Sequence, residues 1–256
     1  MGSAADPGPA ASPFFTTHAR AYVTSARHAR GADLGRLVAL LGPGPGRRAV
    51  DVATGTGHAA LALAEAGCAV IGVDPTPAML AEARTLAAER GLAERLDFVL
   101  GVAEALPVPD ACADIVVCRR AAHHFTDVAL AVAEMARALR PGGRLGISDM
   151  CPEVEAVDAV NRLERLRDGT HAAALHEGAW QEVVAAARLR LTALEVSCED
   201  LTLQEWLAPV SAEGPEAEAI RRELEGLDEA TAAMITGGEP GRWRKRRVVL
   251  VAQRPA

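Results

Sequence analysis

The chain has 256 residues, half of them apolar, with five cysteines and a net charge of −7. That is enough for one large domain, or one domain with a cap, around a sizeable core. The acidic balance argues against a nucleic-acid footprint over the whole surface, no apolar run reaches the roughly 20 residues that span a bilayer, and the N-terminus lacks a basic-then-apolar leader pattern.

Residues 1–13 hold Gly, Pro, Ala and Ser without periodicity and are expected to form a disordered tail. Residues 14–41 read as two helices, the second with Leu34, Leu37, Val38 and Leu41 at helical spacing. Gly42-Pro43-Gly44-Pro45-Gly46 ends it. Strands are predicted over 49–53, 69–73, 96–100, 114–118 and 144–149, with helices over 57–66, 76–90 and 127–139 between them. Strands alternating with helices at this spacing predict an α/β fold, a mostly parallel sheet with helices on both faces. Beyond Asp149 the rhythm changes. Helices are expected over 152–167 and 176–189, a strand over 191–197, mostly helix over 202–235 and a closing strand over 247–253. A helical insert, centred on about 200–240, thus separates the last two strands.

The cysteines, Cys68, Cys112, Cys118, Cys151 and Cys198, are odd in number and form no CxxC. They read as buried, reduced thiols, with no disulfide framework and no zinc site. A basic cluster, Arg242, Arg244, Lys245, Arg246 and Arg247 with Trp243 interleaved, has the charge to grip a phosphate backbone. The preferred reading is the solvated start of the C-terminal strand. Arg, Ala, Gly and Pro abound and Lys245 is the sole lysine, a bias that fits a GC-rich genome and discounts alanine as a structural signal.

The chemistry begins where the first strand ends in Asp51 and a glycine turn, Gly55-Thr56-Gly57, opens a helix. The second strand ends in another acid, Asp74. Glycines let the backbone approach a ligand, and the second acid is placed to receive ribose hydroxyls. Gly55 to Ala60 also satisfies G-x-G-x-x-G/A, so a nicotinamide oxidoreductase is the first rival. Three features separate the readings. Asp51 would repel a pyrophosphate but welcome a cofactor with an amino group and a sulfonium. The loop from Gly101 through Ala103, Glu104 and Pro107 is placed to touch an adenine edge. Leu139-Arg140-Pro141-Gly142-Gly143 precedes strand five.

With these stretches, and with Val73-Asp74-Pro75-Thr76-Pro77-Ala78-Met79-Leu80 and Arg119-Arg120-Ala121-Ala122-His123-His124-Phe125, the chain resembles a class I S-adenosylmethionine-dependent methyltransferase, of the ubiquinone/menaquinone-biosynthesis-type group. Tyr22, Ser25, His28, Gly31, Asp33 and Leu34 lie in an N-terminal stretch that also resembles that group. The resemblance covers about 20–150 well and the C-terminal insert poorly. It implies a seven-stranded Rossmann-like sheet under a helical cap, one domain over 14–256 with lid helices at 14–41, a cofactor core at 47–150 and a C-terminal part at 151–256. It implies S-adenosyl-L-methionine as cofactor, with S-adenosyl-L-homocysteine as product, and no metal. Asp51 would hold the methionine amino group, with Ala53, Gly55 and Gly57 lying against the methionine part. Asp74 and Pro75 would meet the ribose, Met79 the adenine face, and the Ala103 amide adenine N1. Arg119 would sit beside the sulfonium, and Tyr22, Ser25 and His28 would lie on a lid helix. Ala53 stands where the family usually has its first glycine. Val102 stands where an acid often meets the adenine amino group, a contact for which Glu104 is the substitute.

His123 and His124 follow strand four at its carboxyl end, where ligands sit in open α/β sheets. Either is a candidate general base, with packing against Phe125 the alternative. His28, His171 and His176 are lesser candidates. The expected acceptor is a small molecule, in specialised metabolism, with no nucleic-acid partner, no membrane span and a cytoplasmic setting. Monomer and homodimer both stay open. The other readings are a cofactor-binding relative that catalyses a different reaction, such as cyclisation, and a non-enzymatic partner subunit.

Overall fold

Apolar runs bounded by glycine or proline turns become strands, and the alanine-rich stretches between them become helices. The computed structural model describes residues 13–24, 29, 31–208 and 210–256. In chain order its main elements are α1 (Pro13–Thr24), α2 (Ala32–Leu41), β1 (Arg48–Val52), α3 (His58–Glu65), β2 (Ala69–Asp74), α4 (Pro77–Glu89), β3 (Leu96–Leu100), β4 (Ala113–Arg119), α5 (Val128–Ala138) and β5 (Leu139–Met150). The remainder is α6 (Val157–Arg167), α7 (Glu177–Ala186), β6 (Arg190–Thr202), α8 (Leu203–Leu207), α9 (Pro215–Glu225), α10 (Glu229–Thr236) and β7 (Arg242–Gln253). The expected tail lies outside the described residues except at Pro13, which already belongs to α1. None of the described helices is long and apolar enough to cross a membrane.

The seven strands form one sheet in the order β3-β2-β1-β4-β5-β7-β6. Strands β1 to β5 run parallel, and β7 lies antiparallel between β5 and β6. This is the α/β, Rossmann-like arrangement expected of the sequence. The chain builds outward from β1 to β3, then returns to place β4 on the other side of β1. That reversal opens a crevice at the carboxyl ends of β1 and β4, where ligands bind in such sheets.

Side chains alternate between the two faces. Val116, Cys118, Val248 and Leu250 pack under α5 and α7, with Met135 and Trp180. Ile115, Val117, Val249 and Val251 pack under α2, α3 and α4, with Leu37, Leu61 and Leu80. A third apolar cluster, with Leu163, Trp206, Ile220 and Trp243, holds the helical cap. Cys68, Cys118 and Cys151 are buried and all five thiols are free, but Cys198 is exposed, against the expectation for that residue.

Three strands differ from expectation. β5 begins at Leu139, five residues before the expected start, because the Pro141-Gly142-Gly143 turn is absorbed as a bulge. Its register with β4 jumps from Ala113–Leu139 to Ile115–Arg144. Gly142 adopts a φ of 77° and its amide donates to the Arg254 carbonyl at 2.9 Å. β7 begins at Arg242 instead of 247, and β6 runs on to Thr202 instead of 197, because each extension is the other's partner. Leu201 lies opposite Trp243, and Thr202 opposite Arg242. β5 ends at Met150, paired with Arg247. Residues 242–246 and 198–202 therefore continue as a ribbon past the carboxyl edge of the sheet. Helices α8 to α10 connect the two strands of that ribbon, so the cap is carried over the crevice by the sheet itself.

Candidate functional site

The turn after β1 is assembled by two carboxylates. Asp51, 1% exposed, accepts from the Thr54 hydroxyl at 2.6 Å and from the Ala60 amide at 2.9 Å. Both bonds fall on Oδ2. Oδ1 makes none among the described residues, and Asp51 lines the cavity. Burial pushes the Asp51 carboxyl up to about 7, against the lowering pull of the Thr54 and Ala60 hydrogen bonds. Asp74, at the end of β2, accepts from the Thr76 amide at 2.8 Å and the Gly55 amide at 2.9 Å, and burial raises its carboxyl too. Each oxygen keeps a lone pair for a ligand hydroxyl.

Ala53 has a φ of 53°, in the left-handed region. That explains the glycine preference at this position: an L side chain there costs roughly 1–2 kcal/mol. Gly57 has a φ of 85° at the start of α3, and a Cβ on it would meet the Ala83 Cβ at 3.2 Å. Gly57 shapes the turn from behind and does not line the cavity.

The crevice encloses about 530 Å³, within the size range of small-ligand sites. Asp51, Ala53, Gly55, Asp74, Pro75, Met79, Ala103, Glu104 and Arg119 line it, as do His123 and His124. Of the other expected site residues, the side chains of Tyr22 and His28 fall outside the described residues, as does Ser25. Phe15, from α1, does reach the cavity. Glu104 has a structural duty: its Oε1 accepts from the Thr126 amide at 2.8 Å and the Asp127 amide at 3.3 Å, tying the loop after β3 to the segment after β4.

Arg119 is the last residue of β4, and its guanidinium grips Asp33 with Nε at 2.7 Å and Nη2 at 2.9 Å. Arg120 grips the same carboxylate with Nε at 3.1 Å and Nη2 at 2.7 Å, and the Ser148 hydroxyl donates to it at 3.2 Å. Burial alone would raise the Asp33 carboxyl; the two guanidiniums instead hold it well below the usual range. This network ties α2 to the ends of β4 and β5. In the sequence Asp33 is a helix-start acid within the N-terminal stretch of the resemblance, and its arginine partners are not readable there.

The histidines differ in their surroundings. His123 Nδ1 donates to Asp149 Oδ1 at 2.6 Å, and the His123 amide donates to Asp149 Oδ2 at 3.2 Å. Asp149 is buried at the end of β5. Burial would raise its carboxyl, and His123 with the Met150 amide holds it well below the usual range. Nδ1 is thus committed and Nε2 is the free nitrogen. A carboxylate-held imidazole of this kind has its tautomer and orientation set for proton transfer. His124 Nδ1 faces the Thr170 carbonyl at 3.2 Å and the Thr170 hydroxyl at 3.0 Å. Burial, with His123 beside it, pushes His124 down to about 3, so it stays neutral. His171 meets Asn161 Oδ1 through Nε2 at 2.7 Å, and burial takes it down to about 4. His171 and His176 are not among the residues that line the cavity.

The basic cluster starts the last strand, as expected, but only part of it is solvated. Because the β7 ribbon passes the carboxyl edge of the sheet, its two faces have opposite fates. Arg242 and Arg244 are exposed, and Arg244 pairs with Asp200 at 2.8 Å. Lys245 and Arg247 line the cavity. Across from them Glu164, at the end of the cap helix α6, is fully buried, and it takes Arg167 at 2.7 Å and Lys245 at 3.8 Å. Burial pushes Lys245 down to about 8 and Arg247 down to about 10. Trp206 stacks on Trp243 at 3.7 Å and donates to Glu164 at 3.0 Å. Among the described residues no group of His, Cys, Asp or Glu is arranged to hold a metal ion.

Comparison with known proteins bears on this geometry. Residues 50–147 match the methyltransferase domain family. An uncharacterized methyltransferase of Bacillus subtilis, YcgJ, is 37% identical over 198 residues, 77% of this chain and 74% of the relative. Its crystal structure superimposes with a TM-score of 0.81 at 29% identity, covering 88% of this chain and 98% of that one. A demethylmenaquinone methyltransferase of Thermus thermophilus is 44% identical over 108 residues, 41% of this chain and 48% of that protein. The fold alone is shared with a geranyl diphosphate methyltransferase in complex with S-adenosylmethionine, at 21% identity and a TM-score of 0.61, covering 98% of this chain and 93% of that one. Sheet order, glycine turn, paired acids and a relative that matches most of both chains agree: the chain belongs to the class I S-adenosylmethionine-dependent methyltransferase family.

Proposed function

We propose that this protein transfers the methyl group of S-adenosylmethionine to a small-molecule acceptor held beneath the helical cap. The observation that carries this reading is a single cavity joining the paired acids Asp51 and Asp74 to a carboxylate-held histidine, His123. The residues suit the cofactor. Asp51 is a buried carboxylate with one oxygen unmet among the described residues, a fitting partner for an ammonium. A Cβ on Gly55 would meet nothing within 4 Å, so the backbone there is open to close approach. Asp74 has lone pairs left for ribose hydroxyls, and Met79 and Ala103 offer an apolar floor for adenine.

When bound, the cofactor supplies an electrophilic methyl on a sulfonium whose departure leaves a neutral thioether. The protein therefore has little developing charge to stabilise, and its work is positioning and exclusion of water. α1 and the cap both border the cavity, α1 through Phe15 and the cap through Trp206. His123 Nε2 takes the proton of an acceptor hydroxyl, amine or acidic carbon, and Asp149, as a positioning residue, keeps Nδ1–H engaged. His124 is the weaker base because its conjugate acid is too acidic to persist near neutrality. A setting in specialised metabolism and a cytoplasmic location belong to the same reading.

Isothermal titration with S-adenosylhomocysteine tests the cofactor. Binding is expected, and Asp74→Ala should weaken it by about 1–3 kcal/mol, the cost of unmet hydroxyl partners. No binding to the native protein refutes the reading. Incubation with methyl-labelled S-adenosylmethionine and a candidate acceptor panel tests the reaction. Product formation without label in it would favour a non-methylating activity such as cyclisation.

A further inference from the structure

In the acceptor half of the cavity the cationic groups are paired with carboxylates, with one exception. Arg119 and Arg120 share Asp33. Arg167 and Lys245 share Glu164. Asp149 is engaged by His123. The remaining acids of this region have their own partners: Asp168 accepts from the Thr170 amide and hydroxyl, and Glu205 closes the capping box of α8 with Thr202. Glu199 lies opposite Lys245 in the β6–β7 ladder. Arg247 is what is left. It is 6% exposed and lines the cavity, and among the described residues its side chain makes no hydrogen bond or ion pair. Asp33 and Asp149 reach it only through space.

A buried guanidinium stays charged and presents five N–H donors, so it calls for an acceptor group. The position is built by the fold. Lys245 and Arg247 lie two residues apart on one face of β7, about 6.6 Å along the strand. The register that pairs Arg247 with Met150 sets that face at the carboxyl edge of the sheet, one residue from Asp149 and hence next to the His123 pair.

We infer that Arg247, with Lys245 beside it, anchors an anionic group, a carboxylate or a phosphate, on the methyl acceptor. The planar fork of Arg247 suits two oxygens of either group, and Lys245 adds a second, mobile donor. The acceptor is then an anionic small molecule held at its charged end by β7, with its nucleophilic atom near His123. This inference rests on the reading of the cavity as an acceptor site.

The test uses ligand-observed titrations of the full chain, with and without saturating S-adenosylhomocysteine. The probes are benzoate and phenyl phosphate, against the neutral benzamide and benzyl alcohol. The anions are expected to bind about 10- to 100-fold more tightly than the neutral probes, the range of a charge-assisted contact. Benzoate and phenyl phosphate, compared with each other, decide which anion the site takes. Arg247→Met should abolish the preference while keeping S-adenosylhomocysteine affinity and a cooperative melt, and Arg247→Lys should retain part of it. If Arg247→Met does not fold, Lys245→Met, at a side chain 20% exposed, is the second variant and should reduce the preference. Equal binding of anionic and neutral probes, or a preference untouched by these variants, overturns the inference. Anion binding without any S-adenosylhomocysteine binding would support the subsite and refute methyl transfer. S-adenosylhomocysteine binding without anion preference would do the reverse.

Discussion

Asp33→Asn removes the one carboxylate that serves two buried guanidiniums. In the native protein five donors converge on it: two from Arg119, two from Arg120, and the Ser148 hydroxyl. The side chains of Asp33, Arg119 and Arg120 are 4%, 5% and 11% exposed, so water cannot take over. The asparagine keeps the shape and one acceptor oxygen but withdraws the negative charge that the two cations share. Breaking a buried ion pair from one side costs about 3–5 kcal/mol. At roughly 2–4 °C per kcal/mol for a domain near this size, the melting temperature should fall by about 6–20 °C. Calorimetry and urea unfolding measure it. Since uncompensated charge is the source, adding Arg120→Met to Asp33→Asn should recover part of the loss. The sign with pH follows from the depressed Asp33 carboxyl. Its contribution is present above the unfolded value of about 3.9 and is lost only as pH falls through the lower folded value, so the gap between native and variant protein should hold constant over about pH 5–8. A loss below about 1 kcal/mol, the worth of an exposed pair, would refute the reasoning.

Three further outcomes are expected. Because free Asp51 titrates at about 7 and an ammonium favours its ionised form, S-adenosylhomocysteine affinity should rise with pH up to about 7 and then level off, with proton release detectable calorimetrically below that point. An affinity flat across that window, or the same rise in Asp51→Asn, would remove the carboxylate from the site. Ala53→Gly, at a φ of 53°, should stabilise the protein by about 0.5–1 kcal/mol, the strain relieved less the entropy of the new glycine; a lower melting temperature would contradict this. With an acceptor in hand, His123→Ala should slow kcat by about 10²–10⁴-fold and leave S-adenosylhomocysteine affinity alone, with Asp149→Asn slowing it through the lost orientation and His124→Ala slowing it less. Full kcat in His123→Ala would assign the proton elsewhere.

The half of the crevice around Asp51 and Asp74 is legible because it is written locally. Asp51, the Gly55–Gly57 turn and the start of α3 are consecutive, and Asp74 follows at the end of the next strand; strand and helix periods alone bring them to one edge of the sheet. In the other half the sequence offers Arg119, His123 and His124 but not their partners, which are distant in the chain. Asp33 meets Arg119 across 86 residues, and His123 meets Asp149 across 26. Nothing in the sequence near Asp149 distinguishes it from any strand-ending acid. From the sequence the basic cluster reads as the solvated start of the last strand. Strand alternation already separates Lys245 and Arg247 from Arg244 and Arg246, but which face is inside depends on where β7 lies in the sheet.

The sequence by itself therefore determined the fold class, the order of strands and helices up to Asp149, and the acid and glycine turn that follows the first strand. These follow from contacts between chain neighbours, which hydrophobic period and turn chemistry specify. Only the tertiary structure decided which histidine is backed by a carboxylate, why the strands after the core run long, and that two basic side chains point into the cavity. Those depend on strand register and sheet order, which are settled by packing between segments far apart in the chain.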